Sequence, residues 1–116
     1  MTMVINGTAG VTFPDSTVQT TASITGFTAK TTTYTAVAGD ILLVDTSAGA
    51  FTITLPASPA TGNTVYFQDA KGTFLAFPLT VGRNSQTIMG LAEDLTANSN
   101  NVGFGLVYNG SDWRIF

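Results

Sequence analysis

Short stretches that alternate large apolar and polar residues recur along this chain, and no segment shows the spacing of an amphipathic helix. In residues 51–56 the side chains of Phe51, Ile53 and Leu55 fall on one face of a strand, and threonines fall on the other. Pro56 ends this strand because it lacks the backbone donor that a β-ladder needs. Strand patterns return at intervals of roughly 8 to 12 residues, which is typical of a β-sandwich or β-roll.

Other segments support the same fold class. Residues 41–45 form a continuous apolar run that is too short for a helix and typical of a buried strand. Residues 64–69 alternate, and Asn109-Gly110 predicts a hairpin in which residues 113–116 pair back on the preceding strand. We therefore predict an all-β protein with an antiparallel β-sandwich or β-roll head over residues 27–116.

The charge content predicts how the sheet edges are covered. Charged residues make up 9 % of the chain, against about 25 % in average proteins. Exposed sheet edges are ordinarily protected from pairing with other chains by lysine and other charges, and the lysines here are Lys30 and Lys71. We expect copies of the chain to cover one another's edges in an obligate homo-oligomer.

Charge and residue types also exclude several functions. The net charge is −3 and the four basic residues are far apart, whereas binding to a phosphate backbone needs clustered cations, so we expect no nucleic-acid partner. No apolar run approaches the ~20 residues of a membrane span, and residues 1–6 do not form a signal peptide, so we expect no membrane insertion. Without His or Cys, neither a Ser-His-Asp nor a Cys-His site can form, and the usual zinc ligands are missing.

The carboxylates do not form a catalytic pattern. Asp40 and Asp45 flank a strand and should lie about 15 Å apart by strand rise, which is too far for an acid–base pair. Turn capping is the favoured interpretation of both. Glu93 and Asp94 are adjacent and would point to different faces of a strand. We predict no catalytic residue, no metal ligand and no cofactor, and therefore no enzyme.

The aromatic residues are the one indication of ligand binding. Tyr66, Phe74, Tyr108 and Trp113 would form a sugar-stacking surface if they were exposed. Placement in the core or in an interface is the alternative, and it is the commoner one for such residues.

Residues 1–26 contain too few apolar side chains for a core of their own. One interpretation is a frayed tail. The favoured one is an extended arm whose Val11, Phe13 and Val18 dock on a partner or on sister chains.

Two patterns resemble a known group of proteins. Residues 6–22, NGTAGVTFPDSTVQTTA, resemble the segment NGTxGvtFPDgtvQtTA of tail-fibre and other virion structural proteins of tailed bacteriophages, with Ser16 in place of a glycine. Residues 34–40, 51–56, 83–84 and 109–114 resemble the small β-domains that are appended to such fibres.

The resemblance implies a homotrimeric phage virion protein that is assembled in the host cytoplasm. Its arm, residues 1–26, would bind capsid or tail proteins through Val11, Phe13, Pro14 and Val18, and residues 27–116 would form the head. Because the chain has no long shaft, a short fibre, a knob or a head-decoration protein fits better than a long tail fibre. The alternative is a receptor-binding tip of a tail fibre, in which loops 56–63, 82–85 and 97–101 contact host surface glycan.

Overall fold

The computed structural model describes residues 4–6, 10–12, 18–19 and 26–116, and all its regular elements are strands. In chain order the strands are β1 (Val4–Asn6), β2 (Gly10–Thr12), β3 (Val18–Gln19), β4 (Thr28–Lys30), β5 (Tyr34–Thr35), β6 (Ile41–Val44), β7 (Phe51–Thr54), β8 (Thr64–Asp69), β9 (Leu79–Gly82), β10 (Leu95–Ala97), β11 (Gly103–Tyr108) and β12 (Trp113–Ile115). In this part of the chain no helix is long and apolar enough to span a membrane. The all-β prediction is confirmed.

Nine of these strands form two sheets, one of five strands in the order β12-β11-β8-β6-β4 and one of four in the order β10-β9-β7-β5. From β4 to β9 the chain changes sheet at every strand, and successive strands within each sheet are parallel. The chain therefore winds through three coils, each of which adds one strand to each sheet. Strands β10, β11 and β12 then pair antiparallel and complete the two sheets.

The pairing corrects the prediction of an antiparallel head, because both sheets are mixed. Side-chain alternation is the same in parallel and antiparallel strands, so it does not indicate strand direction. A parallel pair needs a long crossover connection. Here that connection is the strand contributed to the opposite sheet, for example β7 between β6 and β8. Two facing sheets remain, as in a β-sandwich.

A single core lies between the two sheets. Its buried apolar residues are Ala36, Leu42, Val44, Ile53, Leu55, Val65, Phe67, Phe74, Leu79, Val81, Ile88, Ala97, Phe104, Leu106, Tyr108 and Trp113. Ile53 and Leu55 are fully buried, which confirms the predicted core-facing side of the strand at residues 51–56. Strand β8 alternates as expected, with Val65 and Phe67 inside and Tyr66 on the outer face.

The predicted hairpin joins β11 to β12. Tyr108 is paired with Trp113 in the ladder, and the Asn109 N–H donates to the carbonyl of Asp112 over 3.0 Å. Gly110 lies in the turn with φ 105°, a conformation that favours glycine. The side-chain oxygen of Asn109 also accepts the N–H of Ser111 at 3.0 Å, which is an Asx turn.

The predicted arm falls on residues that are described only in part. Strands β1, β2 and β3 form an antiparallel sheet in that order. Phe13 and Pro14 lie outside the described residues, as do the side chains of Val11 and Val18. The division into an arm of residues 1–26 and a head of residues 27–116 stays a prediction.

Replacing Phe67 with alanine should lower the free energy of unfolding by about 3–5 kcal/mol, because a large buried side chain would leave a cavity. The Phe67 ring is fully buried and stacks on Phe104 with ring centres 5.1 Å apart. Urea denaturation measures the change. The control is Leu75→Ala, where the side chain is 67 % exposed and the expected change is within about 0.5 kcal/mol. Equal effects of the two substitutions would contradict the placement of the core.

Candidate functional site

Asp40 and Asp45 cap turns at the two ends of β6, as predicted. Asp40 accepts the hydroxyl of Tyr34 at 2.8 Å and the N–H of Val37 at 2.9 Å. The hydrogen bond to Asp40 raises the pKa of Tyr34. Asp45 accepts the N–H and the hydroxyl of Ser47, and these bonds lower the pKa of Asp45. Both carboxylates therefore stabilise local turns.

Asp69 is a buried carboxylate whose role was not predicted from the sequence. Its two oxygens accept backbone N–H groups from Lys71 (3.3 Å), Gly72 (3.0 Å), Thr73 (3.2 Å), Phe74 (3.3 Å) and Asn101 (3.0 Å). Burial raises the pKa of Asp69, but the backbone hydrogen bonds outweigh burial and the pKa is lowered. The carboxylate ties two loops to the end of β8. The sequence signal for this role was an acidic residue at the end of a strand, two residues before Lys71-Gly72.

Asp112 has a similar structural role at the β11–β12 hairpin. It accepts the hydroxyl of Thr87 at 2.7 Å, the N–H of Gly90 at 3.0 Å and the guanidinium of Arg114 at 3.0 Å. Burial raises the pKa of Asp112, yet these donors together lower it. The hairpin is thereby fixed to the segment that contains Thr87 and Gly90.

The remaining acidic pair is exposed and does not converge on a site. Glu93 and Asp94 both face solvent, and Asp94 accepts the N–H of Arg83 at 3.0 Å. Within residues 26–116 and the three short strands before them, no group of three or more His, Cys, Asp or Glu residues could hold a metal ion.

The four aromatics considered for ligand contact do not share an exposed surface. Phe74 and Trp113 are fully buried and Tyr108 is 7 % exposed, so these three belong to the core. The Tyr108 ring lies 5.3 Å from that of Trp113, and its hydroxyl donates to Gln86. Alternation along β11 and β12 turns both rings inward, where the gap between the sheets needs large side chains. Tyr66 alone lies on an outer face.

Tyr66 is the centre of an apolar cluster on the outside of the five-stranded sheet. We call this cluster the outer aromatic face and define it by Phe27, Ile41, Leu43, Tyr66 and Phe116. The Tyr66 ring meets Phe27 edge-on at 6.1 Å and Phe116 at 6.4 Å. Ile41 is paired with Tyr66 across the ladder, and Phe27 and Phe116 are exposed.

Two glycines of β11 make room for this face. A side chain at Gly105 would overlap the ring of Phe116, and one at Gly103 would overlap Gln68 and the Tyr66 hydroxyl. Large side chains from outside β11 therefore occupy the space over this strand. The alternation of glycine in β11 was the only signal of this arrangement in the sequence.

The outer face of the four-stranded sheet is different, because it is lined by threonine. Thr52, Thr80 and Thr96 are in register across β7, β9 and β10. Thr35 and Thr54 are in register across β5 and β7. We call these five residues the threonine face. It is polar and uncharged.

A cleft lies beside β10, and its two parts share Leu95 and Thr96 as lining residues. Its larger part has a volume of about 260 Å³ and is lined by Leu95, Thr96, Ala97, Asn98, Ser99, Val102, Phe104 and Ile115. A second part of about 170 Å³ is lined by Ile88, Met89, Leu91, Glu93, Asp94, Leu95 and Thr96. Of the three loops expected to contact glycan, loop 97–101 lines the cleft, and loops 56–63 and 82–85 line neither part.

Comparison with known proteins finds no family model and no curated protein that matches this chain. The two outer faces, the cleft and the buried carboxylates are therefore the features that bear on function.

Replacing Asp69 with asparagine should lower the free energy of unfolding by about 2–3 kcal/mol at neutral pH, because an amide satisfies fewer of the N–H groups around it. The folded-state pKa of Asp69 lies below the unfolded value of about 4. Its contribution is therefore present above that value and is lost as the pH falls through the folded-state pKa. Unfolding curves of wild type and variant should converge in acid.

The control for this measurement is Glu93→Gln, which removes an exposed carboxylate and should change stability by less than about 0.5 kcal/mol at any pH. A gap between wild type and Asp69→Asn that is independent of pH would show that the charge of Asp69 does not hold the loops.

Proposed function

We propose that this chain is a non-enzymatic structural protein of a tailed-bacteriophage virion, a short fibre, knob or head-decoration protein. Residues 1–26 attach it to capsid or tail proteins, and residues 27–116 form a homotrimeric head. The observation that carries the proposal is the apolar surface of the described residues. Its large exposed hydrophobic residues are Phe27, Val37, Leu75, Phe77, Met89, Leu91, Ile115 and Phe116. Two of them, Phe27 and Phe116, meet around the Tyr66 ring, and an exposed apolar cluster marks an interaction site.

The sheet edges support an assembly role. Strands β4, β5, β10 and β12 are the outermost strands of the two sheets, and an unprotected edge pairs readily with another chain. Lys30 is the charged residue of β4, but its ammonium group lies 3.6 Å from the centre of the Tyr34 ring. Strands β5 and β10 carry no charge. We expect other subunits of the particle to pair with these edge strands.

The carboxylates support a structural role over a catalytic one. Asp69 and Asp112 are surrounded by donors from the protein itself, and Asp40 and Asp45 cap turns. A general acid or base has to reach a substrate. These four groups instead hold loops in place. The resemblance of residues 6–22 to a segment of virion proteins then indicates that the partners are capsid or tail proteins.

Introducing Val11→Asp and Phe13→Asp together should prevent incorporation into particles, because charged side chains cannot dock on an apolar site without a large desolvation cost. Head stability should not change. Immunoblotting of purified particles measures incorporation, and thermal unfolding measures the head. A chain that lacks residues 1–26 should behave in the same way, and Thr35→Asp serves as the control for a negative charge introduced outside the arm. Incorporation of the double variant at the wild-type level would contradict the anchoring role.

A receptor-binding tip that recognises host surface glycan is the second candidate, and the cleft along β10 favours it. Its lining includes the apolar residues Leu95, Val102 and Phe104, and Asn98 and Ser99 add amide and hydroxyl groups. An apolar pocket with a few polar groups is the usual form of a small-molecule site.

If the cleft binds glycan, Asn98→Ala combined with Ser99→Ala should abolish the signal on an array of host surface glycans, since the sugar hydroxyls would lose their partners. Thr35→Ala on the threonine face is the control and should bind normally. Absence of any glycan signal from the wild-type protein would remove this candidate and leave the structural one.

A further inference from the structure

One outer face of residues 26–116 carries apolar residues that no other part of this range covers. Strand β6 is apolar at every position: Leu42 and Val44 are buried in the core, and Ile41 and Leu43 are half-buried on the outer aromatic face. Parallel strands that are apolar on both faces are normally covered on both. The threonine face shows that the other sheet of this chain has a polar exterior. The contrast indicates that a partner covers the outer aromatic face.

The shape of this face suits a packed interface. Because Gly103 and Gly105 have no side chains, the Tyr66 hydroxyl, Gln68 and Phe116 occupy the space over β11. The centre of the face is therefore one aromatic cluster. The cores of protein interfaces are enriched in aromatic residues and depleted of charge, and this surface has both properties.

We propose that the partner on the outer aromatic face is a second copy of this chain. This inference rests on the proposed homo-oligomeric head and names the surface that forms it. The chain has a net charge of −3, so two copies repel each other wherever carboxylates would face each other. Among the described residues no carboxylate is on the outward side of the five strands. Copies can therefore meet here without burying a carboxylate.

The charged groups nearest to this face are held by other groups. Asp45 follows the end of β6 and is bound to Ser47. Arg114 lies on β12 at the margin, and its guanidinium pairs with Asp112 at 3.0 Å. The five residues that define the face are themselves uncharged, so copies can meet there without placing like charges opposite each other.

A single introduced thiol tests the proposal, because the chain has no cysteine. Leu43→Cys places the thiol on the outer aromatic face, and Thr80→Cys places an equally half-buried thiol on the threonine face. At concentrations where the protein is oligomeric, the thiol of Leu43→Cys should be protected from a bulky maleimide and should become reactive on dilution. The thiol of Thr80→Cys should react at the same rate throughout.

The second measurement is the mass of full-length variants by sedimentation. Tyr66→Lys should weaken association by roughly a hundredfold or more, as expected for a central interface aromatic. Its mass should fall to that of a single chain, 12.0 kDa. Thr80→Lys should keep the wild-type mass. Circular dichroism checks that each variant folds, and if Tyr66→Lys does not, the thiol measurement decides.

The outcomes separate this inference from the proposed function. An oligomer in which the Leu43→Cys thiol stays reactive, or in which folded Tyr66→Lys keeps its mass, overturns the assignment of this face and leaves a homo-oligomer in place. A wild-type protein that is a single chain at every concentration overturns both the inference and the homo-oligomeric head. Particle incorporation of the arm variants tests the virion role independently.

Discussion

The head depends on one packing constraint, which is that the inward side chains of three successive coils meet between two sheets. Strands of two to six residues do not hold a hairpin or a sheet together by themselves. Each coil adds a strand to both sheets at once, so Ile53 from one sheet and Phe67 from the other enter the same core. Strands β10 and β11 then pair with β9 and β8 and extend the stack with antiparallel neighbours.

The same constraint explains why the buried acids are structural. Winding leaves long connections between strands, such as residues 70–78 and 83–94, whose backbone N–H groups need partners. Asp69 directly precedes the first connection and accepts its Gly72 and Thr73 N–H groups. Asp112 lies in the neighbouring hairpin and accepts the Gly90 N–H of the second connection. Asp69 accepts backbone N–H groups that a regular strand would have paired, whereas Asp112 accepts one backbone N–H together with a hydroxyl and a guanidinium.

Sequence patterns predicted the parts of this structure that depend on neighbouring residues. Alternation placed Ile53, Leu55 and Val65 correctly, and Asn109-Gly110 correctly predicted the hairpin. The prediction of antiparallel strands was wrong because side chains alternate in the same way along parallel and antiparallel strands. The sequence indicates a turn after Asp69, but it does not show that Asn101, 32 residues away, also donates to this carboxylate. The outer aromatic face depends on β6, β8, β11 and Phe27 coming together, which requires the strand order.

The difference between the two outer faces limits how the low charge content can be explained. If scarcity of charge were only a bias in composition, both exteriors would have similar residues. Instead one exterior is built from threonine, whose branched side chain favours strands and whose hydroxyl is hydrated. The other carries Ile41, Leu43 and Tyr66 at equivalent outward positions. The same chain therefore forms one polar sheet exterior and one apolar sheet exterior. The proposed contact on the outer aromatic face is an explanation of this difference that composition alone does not supply.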